Sequence, residues 1–181
     1  MGRPSLVVVL AEDGRHQRFV RRYLERLGHS AHDIRLQPLP AGRGCGEQWV
    51  RQHYAEAVKT YRWRSTRAGT ALIVAVDADA GDVNRRLQQV QSALLQAGLA
   101  ARESEERIVH LIPKRSIETW ILCLNGQSVD ENADYSHDPG VDQQIPAAAA
   151  TLFEWTRSNA IIPEHCIHSL RLAIPELKRL E

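Results

Sequence analysis

The stretch that decides the fold is Thr70-Ala-Leu-Ile-Val-Ala-Val-Asp-Ala-Asp-Ala-Gly-Asp82. Residues 71–76 are apolar without any polar alternation, and the run ends in two acids, Asp77 and Asp79. A short, uniformly apolar run is typical of a central strand in a parallel sheet, which is buried on both faces. The sequence therefore predicts a buried strand with two carboxylates at its carboxyl end, the edge where open α/β sheets bind their ligands.

The two acids allow two interpretations. Carboxylates this close repel each other unless a positive group lies between them, and Mg²⁺ is usually held by one or two carboxylates together with water and phosphate oxygens. The alternative is a solvated turn between strand and helix with Asp82 as the helix N-cap, because turns are rich in aspartate. This stretch alone leaves both interpretations open.

Composition places the chain among ordinary globular proteins. Its 181 residues are 43% apolar and 25% charged, which suits one domain, or one domain with a helical appendage. The three cysteines are widely spaced and form no CxxC pair, so they argue against a disulfide framework or a zinc site. No apolar run is long enough to span a membrane. We expect an intracellular, cytoplasmic protein that does not bind membranes.

Charge is distributed unevenly along the chain. Residues 126–181 carry nine acidic and four basic side chains, a net charge of 4 − 9 = −5, which leaves 19 − 13 = +6 for residues 1–125. A basic part that bears acids at strand ends suits a phosphate-rich, metal-bridged substrate. An imbalance of this size also occurs in proteins that bind no nucleic acid.

Two further apolar runs and one weaker segment, in which apolar and polar residues alternate, predict the rest of a sheet. Residues 6–10 precede Glu12, residues 33–40 contain two prolines and therefore suit an edge strand, and residues 107–113 form the last run. Helical patterns lie between and after these runs, at about residues 15–27, 47–61, 83–99, 114–124, 146–158 and 165–180. The alternation predicts an α/β, Rossmann-like fold, with a four-stranded, mostly parallel sheet flanked by helices. Residues 1–125 would form the α/β domain, and residues 126–181 an acidic loop and a C-terminal helical appendage.

Several basic groups are candidates for binding phosphate. Arg15 lies one turn from Glu12 on an arginine-rich helix face that is otherwise expected to be solvated. Arg43 lies in the glycine-rich segment 41–46, which is either an anion cradle of backbone N–H groups or a flexible turn. The basic, aromatic segment 61–67 either contacts bases and phosphates or ends a helix whose dipole its cations complement.

Two candidates follow the last predicted strand. Lys114 comes directly after Pro113, and Glu118 lies in the first turn of the next helix. An acid in that position often only complements the helix dipole. It can also be a further acid at the same edge of the sheet as Asp77 and Asp79.

These features occur in a fixed order along the chain: Glu12, then Asp77-Ala-Asp79, then Lys114, then Ile117-Glu-Thr-Trp120. The order resembles the Toprim fold, and looks most like the small stand-alone Toprim proteins related to the overcoming-lysogenization-defect nucleases. The resemblance covers roughly residues 5–125. One departure is His16, which stands where related nucleases have a second acid one turn after the first motif; Asp13 or Glu118 could replace that acid.

The resemblance implies a metal-dependent nuclease. Glu12, Asp77 and Asp79 would share one or two Mg²⁺ or Mn²⁺ ions, and Glu12 could instead transfer protons. Lys114, with Arg15 or Arg43, would neutralise charge on the phosphate, and Glu118 would assist catalysis. In such systems the partners are nucleic acid and a separate ATPase, often in defence against phage.

Two other hypotheses come from different classes of protein. Because His16 replaces an acid, the chain could be a non-catalytic subunit that binds nucleic acid or a protein partner. Acids at two strand ends with a later lysine, Lys114, also occur in phospho-acceptor domains of the receiver type. The presence of Glu12, where such domains have an acid pair led by aspartate, disfavours this last hypothesis.

Overall fold

A parallel four-stranded sheet forms the centre of the computed structural model, which describes residues 2–40, 46–65, 69–79 and 81–181. The strands are β1 (Leu6–Ala11), β2 (Ile34–Leu36), β3 (Thr70–Ala75) and β4 (Ile108–Leu111). Their order is β2-β1-β3-β4, and every pairing is parallel. The predicted α/β class is therefore confirmed. Arg43 and most of the glycine-rich segment lie outside the described residues.

The positions of the strands follow from their sequences. Every residue of β3 is buried, which confirms that its unbroken apolar run is a central strand. By contrast, β2 has only three residues and lies at the edge of the sheet, as the prolines after it predict, because proline cannot donate to a continuing ladder.

Six α-helices surround the sheet in the described residues. They are α1 (Gly14–Arg26), α2 (Gly46–Ser65), α3 (Val83–Gln96), α4 (Ile117–Leu124), α5 (Val141–Thr156) and α6 (His168–Leu177), the last followed by a 3₁₀ turn at Lys178–Leu180. Helix α2 extends four residues beyond its predicted end. Helix α6 begins three residues later than predicted.

The expected start of α5 at Pro146 was wrong. The helix begins five residues earlier, at Val141, and Pro146 lies inside it. Val141 and Ile145 are buried in the core, and their burial favours a helix that starts before the proline. This burial outweighs the single backbone hydrogen bond that proline cannot donate.

The helices form two layers, one on each face of the sheet. Helices α2 and α3 pack with Val8, Leu10 and Leu72 on one face. Helices α1, α4, α5 and α6 contribute to the cluster on the other face. Helix α5 contacts α1 and α4, and α6 contacts β4, so the C-terminal helices share a core with the sheet. Within the described part of the chain, no helix combines the length and the apolar character needed to cross a membrane.

Candidate active site

Two acids meet where β1 and β3 end. Ala11 of β1 is paired in register with Ala75 of β3, so Glu12 and Asp77 follow neighbouring strands at the carboxyl edge of the sheet. The Glu12 carboxylate accepts a hydrogen bond through Oε2 from the backbone N–H of Asp77, at 2.9 Å. The structure thus brings together two of the three acids that the sequence singles out.

His16 links the start of α1 to this acid pair. Asp13 caps the helix by accepting from the backbone N–H groups of Arg15 and His16. The ring of His16 lies between two carboxylates, with Nδ1 2.9 Å from Asp13 Oδ1 and Nε2 3.0 Å from Asp77 Oδ1. His16 is fully buried. Sequence reasoning identified it only as a missing acid, although the spacing Asp13-x-x-His16 at a helix start could have suggested the first contact.

Burial and charge shift the pKa values of these groups. Burial, reinforced by the Asp77 carboxylate, raises the pKa of Glu12 to about 7. Burial also raises the pKa of Asp77, and the adjacent His16 ring offsets part of that effect. Burial alone would lower the pKa of His16, but the carboxylates of Asp77 and Asp13 raise it well above its usual value. The raised pKa of His16 favours a protonated ring beside Asp77, while the Glu12 carboxyl stays costly to ionise.

Asp79 lies close to this pair but has a different partner. Its carboxylate raises the pKa of both Glu12 and Asp77, which places it within electrostatic reach of them. Its Oδ2, however, accepts from Arg86 Nη2 at 2.9 Å, and its side chain is 65% exposed. Asp79 also has a backbone φ of 52°, which an aspartate adopts at a cost in free energy.

Helix α2 begins directly against Glu12. At Gly46, its first residue, a Cβ atom would lie 2.6 Å from the backbone oxygen of Glu12 and would also collide with the Glu12 side chain. Only glycine allows this close approach. The start of α2 therefore fixes the position of the first acid from one side.

Glu118 and Arg15 form an ion pair between α4 and α1. Glu118 is buried and pairs with Arg15, whose Nε also donates to Asp142 Oδ1 at 2.7 Å. Asp142 accepts in addition from Arg18 Nη2 at 2.9 Å. This network joins α1, α4 and α5. Glu118 therefore does more than complement the dipole of α4, because it has a specific ion-pair partner.

The other predicted cation has no such partner. Lys114 is half-buried and makes no ion pair or hydrogen bond with a described residue. It lies close enough to Asp130 to add to the effect of the hydrogen bonds from Asn132, which lower the pKa of that carboxyl group. The predicted phosphate contacts of Lys114, Arg15 and Arg43 stay predictions.

The chemistry of the donors fits Mg²⁺ or Mn²⁺ in part. Among the residues that the structure describes, no group of three or more His, Cys, Asp or Glu side chains is arranged to hold a metal ion. Glu12 and Asp77, however, each use one oxygen within the protein, and no described residue donates to Glu12 Oε1 or Asp77 Oδ2. Because Mg²⁺ needs only one or two carboxylates when water and phosphate complete its shell, this pair suits such an ion.

The comparisons with known proteins identify no relative. Comparison with family models, curated proteins and solved structures finds no match to the chain. The resemblance to Toprim proteins therefore depends on the residues quoted above and stays a prediction.

Proposed function

We propose that this protein is a metal-dependent phosphodiester hydrolase, a nuclease of Toprim type. The observation that supports this proposal is the contact between Glu12 and Asp77 at the carboxyl edge of two central strands. Each of these acids keeps one oxygen without a hydrogen-bond donor among the described residues. An acid pair in this arrangement favours a divalent cation supplied from outside the protein.

The chain's own residues would have separate roles. Glu12 and Asp77 would hold Mg²⁺ or Mn²⁺, and Asp79 would join them when it exchanges its contact with Arg86. When bound, the ion would polarise the phosphodiester and lower the pKa of a water molecule. His16 would hold Asp77 in place through Oδ1 and leave Oδ2 to bind. Lys114 would offset negative charge that develops on the phosphate.

Partners and location follow from the resemblance. We propose DNA or RNA as the substrate, a separate ATPase as the protein partner, anti-phage defence as the setting, and the cytoplasm as the location. The net charge of +6 on residues 1–125 supports binding to a polyanion.

A cleavage assay with matched variants tests the hydrolase. Wild type, Asp77→Ala and Asp79→Ala are incubated with single-stranded and duplex DNA and with RNA, in Mg²⁺, Mn²⁺ or EDTA. Glu164→Ala, which removes an exposed acid in the turn before α6, serves as the control. We expect cleavage by wild type and by the control only with metal, and a loss of cleavage in Asp77→Ala. Equal activity in all four proteins would exclude the proposal.

A specific observation supports a second candidate, a non-catalytic subunit that binds nucleic acid. The buried ring of His16 already lies between Asp13 and Asp77 and can supply positive charge in place of a metal ion. Calorimetry distinguishes the two functions. Absence of Mg²⁺ and Mn²⁺ binding at millimolar concentration, together with retained binding of nucleic acid in EDTA, would favour the subunit over the hydrolase.

A further inference from the structure

A groove of about 290 Å³ runs between α2 and the edge strand β2. We call it the lateral groove. Its floor is mostly apolar and is formed by Ala57 of α2 together with Val8 and Leu10 of β1, which are themselves almost fully buried. The side chains of Arg35, His53 and Arg64 lie along its walls. It is a different place from the acid pair, on the face of the sheet that α2 only partly covers.

The topology of the sheet explains why the groove is open. Arg35 of β2 is paired in register with Val8 of β1, and paired residues of parallel strands present their side chains to the same face. Val8 packs in the cluster that contains α2, so Arg35 lies on that same face. Helix α2 packs against β1 and β3, which leaves the face of β2 without a covering helix.

The two arginines of the groove are unpaired, unlike others on the same helix. Neither Arg35 nor Arg64 makes a side-chain ion pair or hydrogen bond with a described residue. Arg62, two residues before Arg64, pairs with Glu106 through two nitrogens, at 2.6 and 2.9 Å. The acid in the groove, Glu56, lies 3.9 Å from Lys59, which balances its charge. The lateral groove is therefore positive.

The groove leads from the edge that bears the candidate site. Its floor residue Leu10 is two residues before Glu12, and α2 starts against Glu12 at Gly46. Helix α2 then runs away from that edge, and at a rise of about 1.5 Å per residue Arg64 lies roughly 27 Å along the axis from Gly46. A strand in the groove would therefore extend from the acid pair down the side of the sheet.

We propose that the lateral groove holds the single-stranded segment of a nucleic-acid substrate next to the cleaved phosphodiester. An apolar floor suits the faces of unpaired bases, and unpaired arginines on the walls suit the phosphates of one strand. In a duplex the faces of the bases are stacked on one another and cannot reach an apolar floor, so the groove suits a single strand. This inference rests on the proposed function and names the form of the substrate.

Binding in EDTA tests the groove without cleavage. Fluorescence anisotropy is measured with a single-stranded oligonucleotide of about 15 nucleotides and with a duplex of the same sequence, across a range of salt concentrations. The test variant is Arg35→Ala/Arg64→Ala. The matched control, Arg22→Ala/Arg26→Ala, removes two charges from exposed positions of α1 on the opposite face of the sheet. Circular dichroism verifies that both variants are folded.

We expect the groove variant to bind the single strand about tenfold more weakly, and the slope of log affinity against log salt to fall by about 1.4. The control should stay within about twofold of wild type. Equal weakening by the two variants would overturn the inference, as would a larger loss for the duplex, or absence of binding by wild type. If the groove variant binds the single strand more weakly but wild type cleaves no substrate, the inference about the groove holds and the hydrolase proposal fails.

Discussion

Carboxylates that are at least partly buried occur in two regions next to the sheet, and their charge is balanced differently in each. Beside β4, Glu106 accepts two hydrogen bonds from Arg62, and Glu176 accepts two from Arg102, at 2.5 and 3.2 Å. Burial alone would raise the pKa of both carboxyl groups, but these arginines hold each pKa below its usual value. At the ends of β1 and β3, burial and mutual repulsion raise the pKa values of the acids instead.

Carboxylates that pair with an arginine stabilise the fold, whereas carboxylates without an arginine partner are able to bind a ligand. Beside β4, an arginine neutralises each acid and ties α2 or α6 to the loop before that strand. At the other region, no arginine pairs with Glu12 or Asp77 among the described residues. The only positively charged side chain that contacts them among the described residues is His16, which binds Asp77. Glu12 therefore retains a cost of ionisation, and acids with shifted pKa values are often functional.

The largest expected effect is on cleavage. Replacing Asp77 with Asn removes a metal ligand, so we expect the rate to fall by at least about 10³-fold. Glu176→Gln, which breaks the ion pair with Arg102 beside β4, should cleave at the wild-type rate. Steady-state cleavage rates in Mn²⁺, measured beside thermal unfolding, test the contrast. Comparable loss of activity in both variants would remove the distinction between the two regions.

The pH dependence of stability gives the next largest effect. In EDTA, the pKa of Glu12 is about 7 in the folded protein against an ordinary 4.5, so between these pH values the folded state binds more protons than the unfolded state. The free energy of unfolding should therefore fall as pH rises from 4.5 to 7, by up to about 3 kcal/mol at 1.36 kcal/mol per pKa unit.

Urea unfolding at a series of pH values measures this linkage. Glu12→Gln provides the control, because the amide oxygen still accepts from the backbone of Asp77 but cannot ionise. We expect this variant to lack the Glu12 share of the pH dependence. If wild type and Glu12→Gln lose stability in parallel, other groups are responsible.

A smaller loss of stability should follow from breaking the ion pair between Arg102 and Glu176 beside β4. Glu176→Gln leaves Arg102 without its carboxylate, and we expect the free energy of unfolding to fall by roughly 2 kcal/mol. The matched control is Glu154→Gln, which breaks an exposed pair with Arg157 and should cost less than about 0.5 kcal/mol. Chemical denaturation at neutral pH compares them, and equal losses would contradict the assigned role of Glu176.

The smallest effect is stabilisation by metal. At a Mg²⁺ concentration about ten times its dissociation constant, binding to the folded state alone should add about 1.4 kcal/mol. The double variant Glu12→Gln/Asp77→Asn should show no such gain. Differential scanning calorimetry with and without Mg²⁺ measures it, and equal stabilisation of both proteins would place the ion elsewhere.

Local sequence patterns were sufficient for most of the fold and for the acid pair. The apolar run of β3 predicts burial on both faces, and prolines after β2 predict an edge strand, because both properties depend on residues adjacent in sequence. The proximity of Glu12 and Asp77 follows from the rule that parallel strands end at one edge.

The rest of the site depends on contacts between distant segments, which no local pattern encodes. His16 reaches Asp77 across 61 residues, and Arg15 reaches Glu118 across 103. These contacts depend on the angle at which α1 leaves β1 and on the packing of α4. The start of α5 was missed for a similar reason, since the burial of Val141 against distant helices decides it.

The close approach at Gly46 has a mechanical consequence. Because no side chain fits between the first turn of α2 and Glu12, that turn cannot shift toward the acid without displacing it. The helix that forms one wall of the lateral groove is thus coupled to the acid at the end of β1. Adding a single methyl group at this glycine would disturb the alignment of the acids while leaving every one of them in the chain.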